Sequence, residues 1–142
     1  MKFLMDTDHL SIYQRQVGRE YVTLSAHMAL HPLSDIAISV VSFHEQVLGC
    51  HTFITRARST AEVARGYTML SRLLDDYSAT QVATFDAAAG SAFDGLVSRR
   101  IRVGTLDLRI AAIALSRGLT VVTRNRRDFG QVPGLTTEDW TV

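Results

Sequence analysis

Short apolar runs alternate along the chain with longer stretches in which apolar positions recur every three or four residues. The run Lys2-Phe3-Leu4-Met5 predicts a strand over 2–5, and the residues after it predict a short helix over 7–15. Tyr21, Leu24 and Met28, with alanines around them, predict a second helix over about 19–31. Ile36-Ala37-Ile38-Ser39-Val40-Val41 is a β-branched run suited to a strand buried on both faces. Ser42 is the candidate N-cap of the next helix, with Glu45 three residues on as in a capping box, and that helix is expected to reach about 58. Thr60 reads as the cap of a helix to about Tyr77, Gln81–Thr84 as a short strand, and Asp86 as the cap of a helix over Ala87–Ser98. Thr105 reads as the cap of a helix over 106–117 that Gly118 ends. Leu119–Thr123 predicts another buried strand, and 135–137 an edge strand.

Strands that alternate with helices imply an α/β fold with a mostly parallel sheet and helices on both faces. A length of 142 residues suits a single domain, 1–142, and no internal repeat divides it. The apolar run at the N-terminus stops at Asp6, too soon for a signal-peptide core, and no later run approaches a membrane span. One cysteine, Cys50, excludes an internal disulfide and fits a reducing cytoplasm, so a cytoplasmic protein is expected. Cys50 falls among apolar residues of a predicted helix and reads as packing.

The net charge of +1 favours no partner, but its make-up does. Lys2 is the only lysine among fifteen basic residues, and the rest are arginine. Arg99, Arg100 and Arg102 cluster ahead of Asp107, and Arg124, Arg126 and Arg127 surround the approach to Asp128. Guanidinium groups fork onto phosphate oxygens as ammonium does not. These six are candidate RNA-binding residues, with a solvated arginine-rich surface as the alternative.

Four acids, Asp6, Glu45, Asp107 and Asp128, each fall near a handover from strand to helix or loop. In an open parallel sheet such handovers gather along the rim at the carboxyl ends of the strands, where these folds bind ligands. Carboxylates gathered there repel one another unless a hard cation joins them, and Mg²⁺ or Mn²⁺ prefers oxygen ligands. Taken singly, an acid near a helix N-terminus is also explained by capping and the helix dipole, worth about 0.3–1 kcal/mol. Asp86 keeps that explanation. Asp6, directly after a strand, gains little from it.

Competing motifs are incomplete. His44-Glu45 would need a histidine at 48 to make HExxH, and 48 is Leu48. His27 and His31 have i, i+4 spacing without a third zinc ligand and read as helix surface. There is no GxGxxG, no phosphate-loop GK[ST] and no GxSxG. Asp6-Thr7-Asp8 imitates the DxD of dehalogenase-like phosphatases, with Asp6 as nucleophile. That chemistry also wants Thr or Val where the chain has Leu10, and a downstream lysine that it lacks.

Four blocks, taken together and in order, resemble PIN domains. They are Leu4-Met5-Asp6-Thr7-Asp8-His9-Leu10; Ile38-Ser39-Val40-Val41-Ser42-Phe43-His44-Glu45; Gly104-Thr105-Leu106-Asp107-Leu108-Arg109-Ile110-Ala111-Ala112; and Val122-Thr123-Arg124-Asn125-Arg126-Arg127-Asp128-Phe129 with Val132-Pro133-Gly134-Leu135. The resemblance is to VapC-type toxins of bacterial toxin–antitoxin pairs. It spans essentially the whole chain, and the last block is its most specific part. The family usually has Asn where this chain has Asp8, and Leu where it has Met5. The resemblance implies a three-layer α/β/α fold, an endoribonuclease dependent on Mg²⁺ or Mn²⁺, a homodimer, and a small cognate antitoxin. It implies that Asp6, Glu45 and Asp107 hold the metal with Asp128 completing the set, supported by Thr123 and Asn125. A non-catalytic binding protein on a PIN scaffold is a further reading, against which the retention of all four acids counts.

Overall fold

A computed structural model describes residues 1–142. Its elements run β1 (Phe3–Met5), α1 (Thr7–Arg15), α2 (Arg19–Met28), β2 (Ile36–Ser39), α3 (Val40–Thr55), α4 (Thr60–Ser78), β3 (Gln81–Ala83), α5 (Ala87–Ser98), α6 (Thr105–Arg117), β4 (Thr120–Val122), α7 (Arg126–Phe129) and β5 (Thr137–Glu138). The five strands form one sheet in the order β3-β2-β1-β4-β5, and every neighbouring pair is parallel.

The alternation of side chains along each strand builds the layers. Leu4, Ala37 and Val121 face one core, with Leu96 of α5 and Leu108 and Ile110–Ala114 of α6. Their neighbours Met5, Ile36, Ile38 and Val122 face the other, with Leu10 and Ile12 of α1, Leu24 of α2, Leu73 and Tyr77 of α4, and Trp140. Because the side-chain period of a strand is two, both faces are apolar and each needs a cover of helices. The result is the expected three-layer α/β/α arrangement. Cys50 is buried in the second core, as its apolar context implied.

Several boundaries differ from the sequence reading, and the differences have local causes. The run Ile36–Val41 is strand only to Ser39; Val40 and Val41 already belong to α3. Ser39, not Ser42, is the N-cap, its hydroxyl accepting the N–H of Ser42 at 3.0 Å. Ser59, not Thr60, caps α4 by accepting the N–H of Glu62, and the Glu62 carboxylate reaches back past the cap to accept the N–H of Arg58. Gly104, not Thr105, is the N-cap of α6, with no side-chain bond. Gly118 ends α6 in the left-handed region at φ 65°, as expected. α2 stops at Met28, three residues short of the predicted end, and the edge strand lies at 137–138 rather than 135–137. His27 and His31 do not form a bare helix surface. Both rings stack on Trp140, with centroids 6.0 and 5.3 Å away and planes within 9° and 8° of parallel.

The reassigned caps carry a prediction. Ser39→Ala strands a buried N–H and lowers stability by about 1–2 kcal/mol, whereas Thr105→Ala, at an exposed first helical position, changes it by less than about 0.5 kcal/mol. Denaturant titration of the two variants decides; a larger loss at Thr105 returns the cap to that residue.

Candidate active site

The strand order reverses at β1. From β1 the chain moves outward through β2 and β3, then returns to lay β4 against the other side of β1. The gap at the carboxyl ends of β1 and β4 is thus the topological switch point, where open parallel sheets bind ligands. Asp6 leaves β1 there and Thr123 leaves β4, with Met5 registered opposite Val122.

Asp6 has more structural work than the sequence reading allowed it. It is the N-cap of α1, accepting the Thr7 N–H at 2.7 Å on Oδ1 and the Thr123 hydroxyl at 2.9 Å on Oδ2. It is only 5% exposed. Glu45 lies in the second turn of α3, too far along for the capping role suggested at Ser42. Its Oε1 instead accepts the hydroxyl of Thr7 at 3.0 Å, and Thr7 also meets the buried Ser42 hydroxyl at 2.8 Å. Asp107 sits in the first turn of α6. Asp128 lies in α7, a short helix absent from the sequence reading, whose N-cap is Asn125. The Asn125 side-chain amide donates to Asp128 at 3.1 Å and to Asp107 at 3.4 Å, so one residue spans two of the acids. Thr123 and Asn125 therefore both reach the acids they were expected to support.

Burial, and then the negative charge of Asp8, push the Asp6 carboxyl up to about 7, against the lowering effect of its bonds from Thr123 and Thr7; Asp107 adds to the rise. The Asp107 carboxyl is also raised, by burial first and then by Glu45, Asp128 and Asp8. Asp86 makes the comparison: as a helix cap with Arg117 3.4 Å away, it is held below the usual range, first by the Ala89 N–H and then by that guanidinium. A carboxylate that merely caps is stabilised as an anion. Asp6 and Asp107 are not: burial first, and then neighbouring negative charge, outweigh the hydrogen bonds that each accepts.

None of Asp6, Glu45, Asp107 and Asp128 is paired with a cationic side chain. The six candidate arginines are all exposed, none of them forms an ion pair within the chain, and Arg100 adopts φ 55° in the loop between α5 and α6. The only lysine, Lys2, pairs with Asp35 at the opposite end of β1, so no lysine is available at Asp6 for the phosphatase chemistry. The donor set at the rim is entirely oxygen, which suits a hard divalent cation. No three His, Cys, Asp or Glu side chains converge closely enough to coordinate an ion as they stand, so holding one requires the acids to approach further. The fit is thus one of charge and donor type. The sequence marks neither Thr7 nor Ser42 as a site residue, Ser42 reading only as a cap; the signal for Thr7 is its place beside Asp6, whereas the Ser42 contact depends on α3 lying against the start of α1.

A parallel α/β/α sheet with unpaired carboxylates and a Thr-Arg-Asn turn at its switch point defines a PIN-type nuclease scaffold. Known proteins of similar sequence make this specific. The tRNA(fMet)-specific endonuclease VapC of Salmonella typhimurium is 30% identical over 140 residues, which cover 99% of this chain and 98% of that protein. The protein of the same name from Shigella flexneri is 36% identical over 110 residues, 75% of this chain and 76% of that one. The chain belongs to the VapC family. In the crystal structure of DNA-bound VapBC from Salmonella typhimurium, a chain 27% identical superposes with a TM-score of 0.72, covering 99% of this chain and 98% of that one. No family model matches the chain.

The raised carboxyls set the direction of a pH effect. Both acids bind a proton more tightly in the folded state than in the unfolded state, so their contribution is full below the unfolded value near 4. It is lost as pH rises through the folded value, about 7 for Asp6. For Asp6 the loss is on the order of 4 kcal/mol before the site relaxes. In EDTA the melting temperature is therefore expected to fall between about pH 4 and pH 7. At neutral pH in EDTA, Asp107→Asn should melt above wild type, by ~1–2 kcal/mol, because one repulsive charge is gone. Mn²⁺ should then raise the wild-type melting point more than the variant's, by binding the folded state alone. Calorimetry across that matrix is decisive: a variant below wild type in EDTA, with neither responding to Mn²⁺, means that the acids act as separate caps.

Proposed function

We propose that this chain is an endoribonuclease that requires Mg²⁺ or Mn²⁺ and acts as the toxin of a toxin–antitoxin pair. The observation that carries the chemistry is the group of four carboxylates at the switch point with no cation of the chain's own beside them. Uncompensated negative charge in a half-buried site calls for a cation from outside. Asp6, Glu45, Asp107 and Asp128 are the residues that would hold it. When bound, such an ion supplies a water that deprotonates near neutral pH and stabilises charge on the phosphoryl oxygens.

The protein's own groups do the rest. The Thr123 hydroxyl and the Thr7 N–H hold both oxygens of Asp6, so this carboxylate is fixed in orientation while its charge stays available. Thr7 also holds Glu45, which ties α3 to the end of β1. Asn125 spaces Asp107 and Asp128 from a single amide. Outer groups of this kind set the geometry of the ligands they touch. Arg124, Arg126 and Arg127 on the β4–α7 segment, and Arg99, Arg100 and Arg102 on the loop before α6, would hold phosphates on either side of the cleaved bond. Contacts of that kind position the strand without reading bases.

The relatives supply the substrate and partner to test first. Both curated relatives are named for tRNA(fMet), and the similar Salmonella structure is a VapBC complex, so initiator tRNA and a small antitoxin are proposed for this chain too. A homodimer is proposed on family grounds. No helix is long and apolar enough to cross a membrane.

Purified protein is expected to cut initiator tRNA with Mg²⁺ or Mn²⁺ and to stop on addition of EDTA. Asp6→Asn or Asp107→Asn should lower the rate by more than the ~10–100-fold typical of an outer supporting residue, and should abolish growth arrest on induction. Hydrolysis of small phosphomonoesters with a phosphoaspartate at Asp6 would overturn the nuclease reading. Arg126→Ala and Arg127→Ala are expected to weaken RNA binding and to flatten its log–log salt dependence by roughly 0.7–0.9 per lost phosphate contact. An unchanged salt slope, measured by fluorescence anisotropy, removes these arginines from the RNA path.

A further inference from the structure

His9 is completely buried in the first turn of α1, three residues from Asp6 yet hydrogen-bonded to none of the four acids. Its Nε2 accepts the backbone N–H of Trp140 at 3.0 Å, so the ring proton lies on Nδ1, which donates to Asp8 Oδ1 at 2.8 Å. Asp139 Oδ1 is 3.4 Å from the same Nε2. That oxygen already accepts the Thr141 N–H at 2.9 Å and its hydroxyl at 2.6 Å, and the Trp140 amide occupies Nε2, so no proton bridges His9 and Asp139.

The second oxygen of Asp8 accepts the backbone N–H of Arg124 at 3.0 Å and lies 3.3 Å from the Thr123 hydroxyl. That hydroxyl accepts the N–H of Asn125 at 2.9 Å and has one proton to give. Two carboxylates compete for it, Asp6 at 2.9 Å and Asp8 at 3.3 Å. Asp8 is already supplied by His9 and Arg124, so the proton goes to Asp6.

We propose that His9 is a positioning residue for RNA cleavage: it holds Asp8 as a strut under the Thr123–Arg124 turn and so leaves the Thr123 hydroxyl to Asp6. The inference rests on the nuclease reading above. It gives Asp8 a supporting place in the site rather than that of a fifth ligand, and it connects the C-terminal segment at Trp140 to the acids. The competing account is an ordinary core histidine whose only use is to dock Trp140. The two accounts differ in which ring nitrogen matters, and an amide side chain can replace one at a time. Asparagine places its amide nitrogen near the position of Nδ1 and keeps the bond to Asp8. Glutamine reaches the position of Nε2 and keeps the bond from Trp140.

The test is kcat and KM on initiator tRNA with Mn²⁺ for wild type, His9→Asn and His9→Gln, each at a temperature where it is folded. Beside it runs amide exchange at Arg124 in the metal-free proteins, followed by NMR. His9→Gln is expected to lose roughly 10–100-fold in kcat with KM little changed, and to expose the Arg124 amide to faster exchange. His9→Asn should melt lower, since Trp140 loses its acceptor, yet rescue most of kcat and the Arg124 protection. Activity that simply follows melting temperature across the pair overturns the proposal, as does equal Arg124 exchange in both variants. Wild-type protein inert on RNA with either ion sinks the nuclease reading instead, and the Arg124 comparison still decides whether His9 holds the turn.

Discussion

The site depends on one arrangement, β1 and β4 side by side and parallel with Met5 opposite Val122. Two strands far apart in sequence must end at the same level for Asp6 and Thr123 to meet. The register does this because Leu4 and Met5 of β1 and Val121 and Val122 of β4 are apolar and buried, successive residues facing opposite cores. A slip of one residue would turn Leu4 and Met5 into each other's cores and move Asp6 off the rim. The hydrophobic pattern that stabilises the sheet therefore also sets the position of the first carboxylate.

Around that point charge is concentrated rather than balanced. The four acids receive hydrogen bonds from Thr7, Thr123 and Asn125 but no cation, while the nearby arginines stay exposed and unpaired. Hydrogen bonds orient carboxylates without discharging them, which is what the proposed site for a divalent ion would require. The protein accepts both burial and mutual repulsion of carboxyls at the rim, which together raise those of Asp6 and Asp107, and offsets the cost with the two packed cores on either side of the sheet. The C-terminal segment is part of this support. Trp140 is packed by Phe3, His27 and His31, and its backbone holds the one histidine that reaches Asp8.

Much was legible in the chain itself. Alternating apolar runs and helical stretches identified every strand and all helices but α7, because burial on two faces leaves a dense local signature. The four acids were legible as candidates because each sits near an element boundary, and boundaries of parallel strands share a rim; Thr123 and Asn125 entered only through the resemblance to PIN domains. The readings that the structure changed concern which residue caps which helix. Ser39 and Ser42, Ser59 and Thr60, and Gly104 and Thr105 are neighbours with similar propensities, and only the backbone path selects between them.

What tertiary structure alone decided is how the acids are held and what their environment does to them. Nothing local shows that Glu45 answers to Thr7 rather than to a capping serine, that one asparagine serves two acids, or that His9 meets the amide of Trp140 across 131 positions. These contacts join residues remote in sequence, and their energies depend on burial and on neighbouring charge, neither of which is a property of a segment. The sequence by itself determined where chain direction changes and which side chains stand at those points. Packing decided which of them face one another, because a strand order that reverses at β1 brings together ends that the chain keeps far apart.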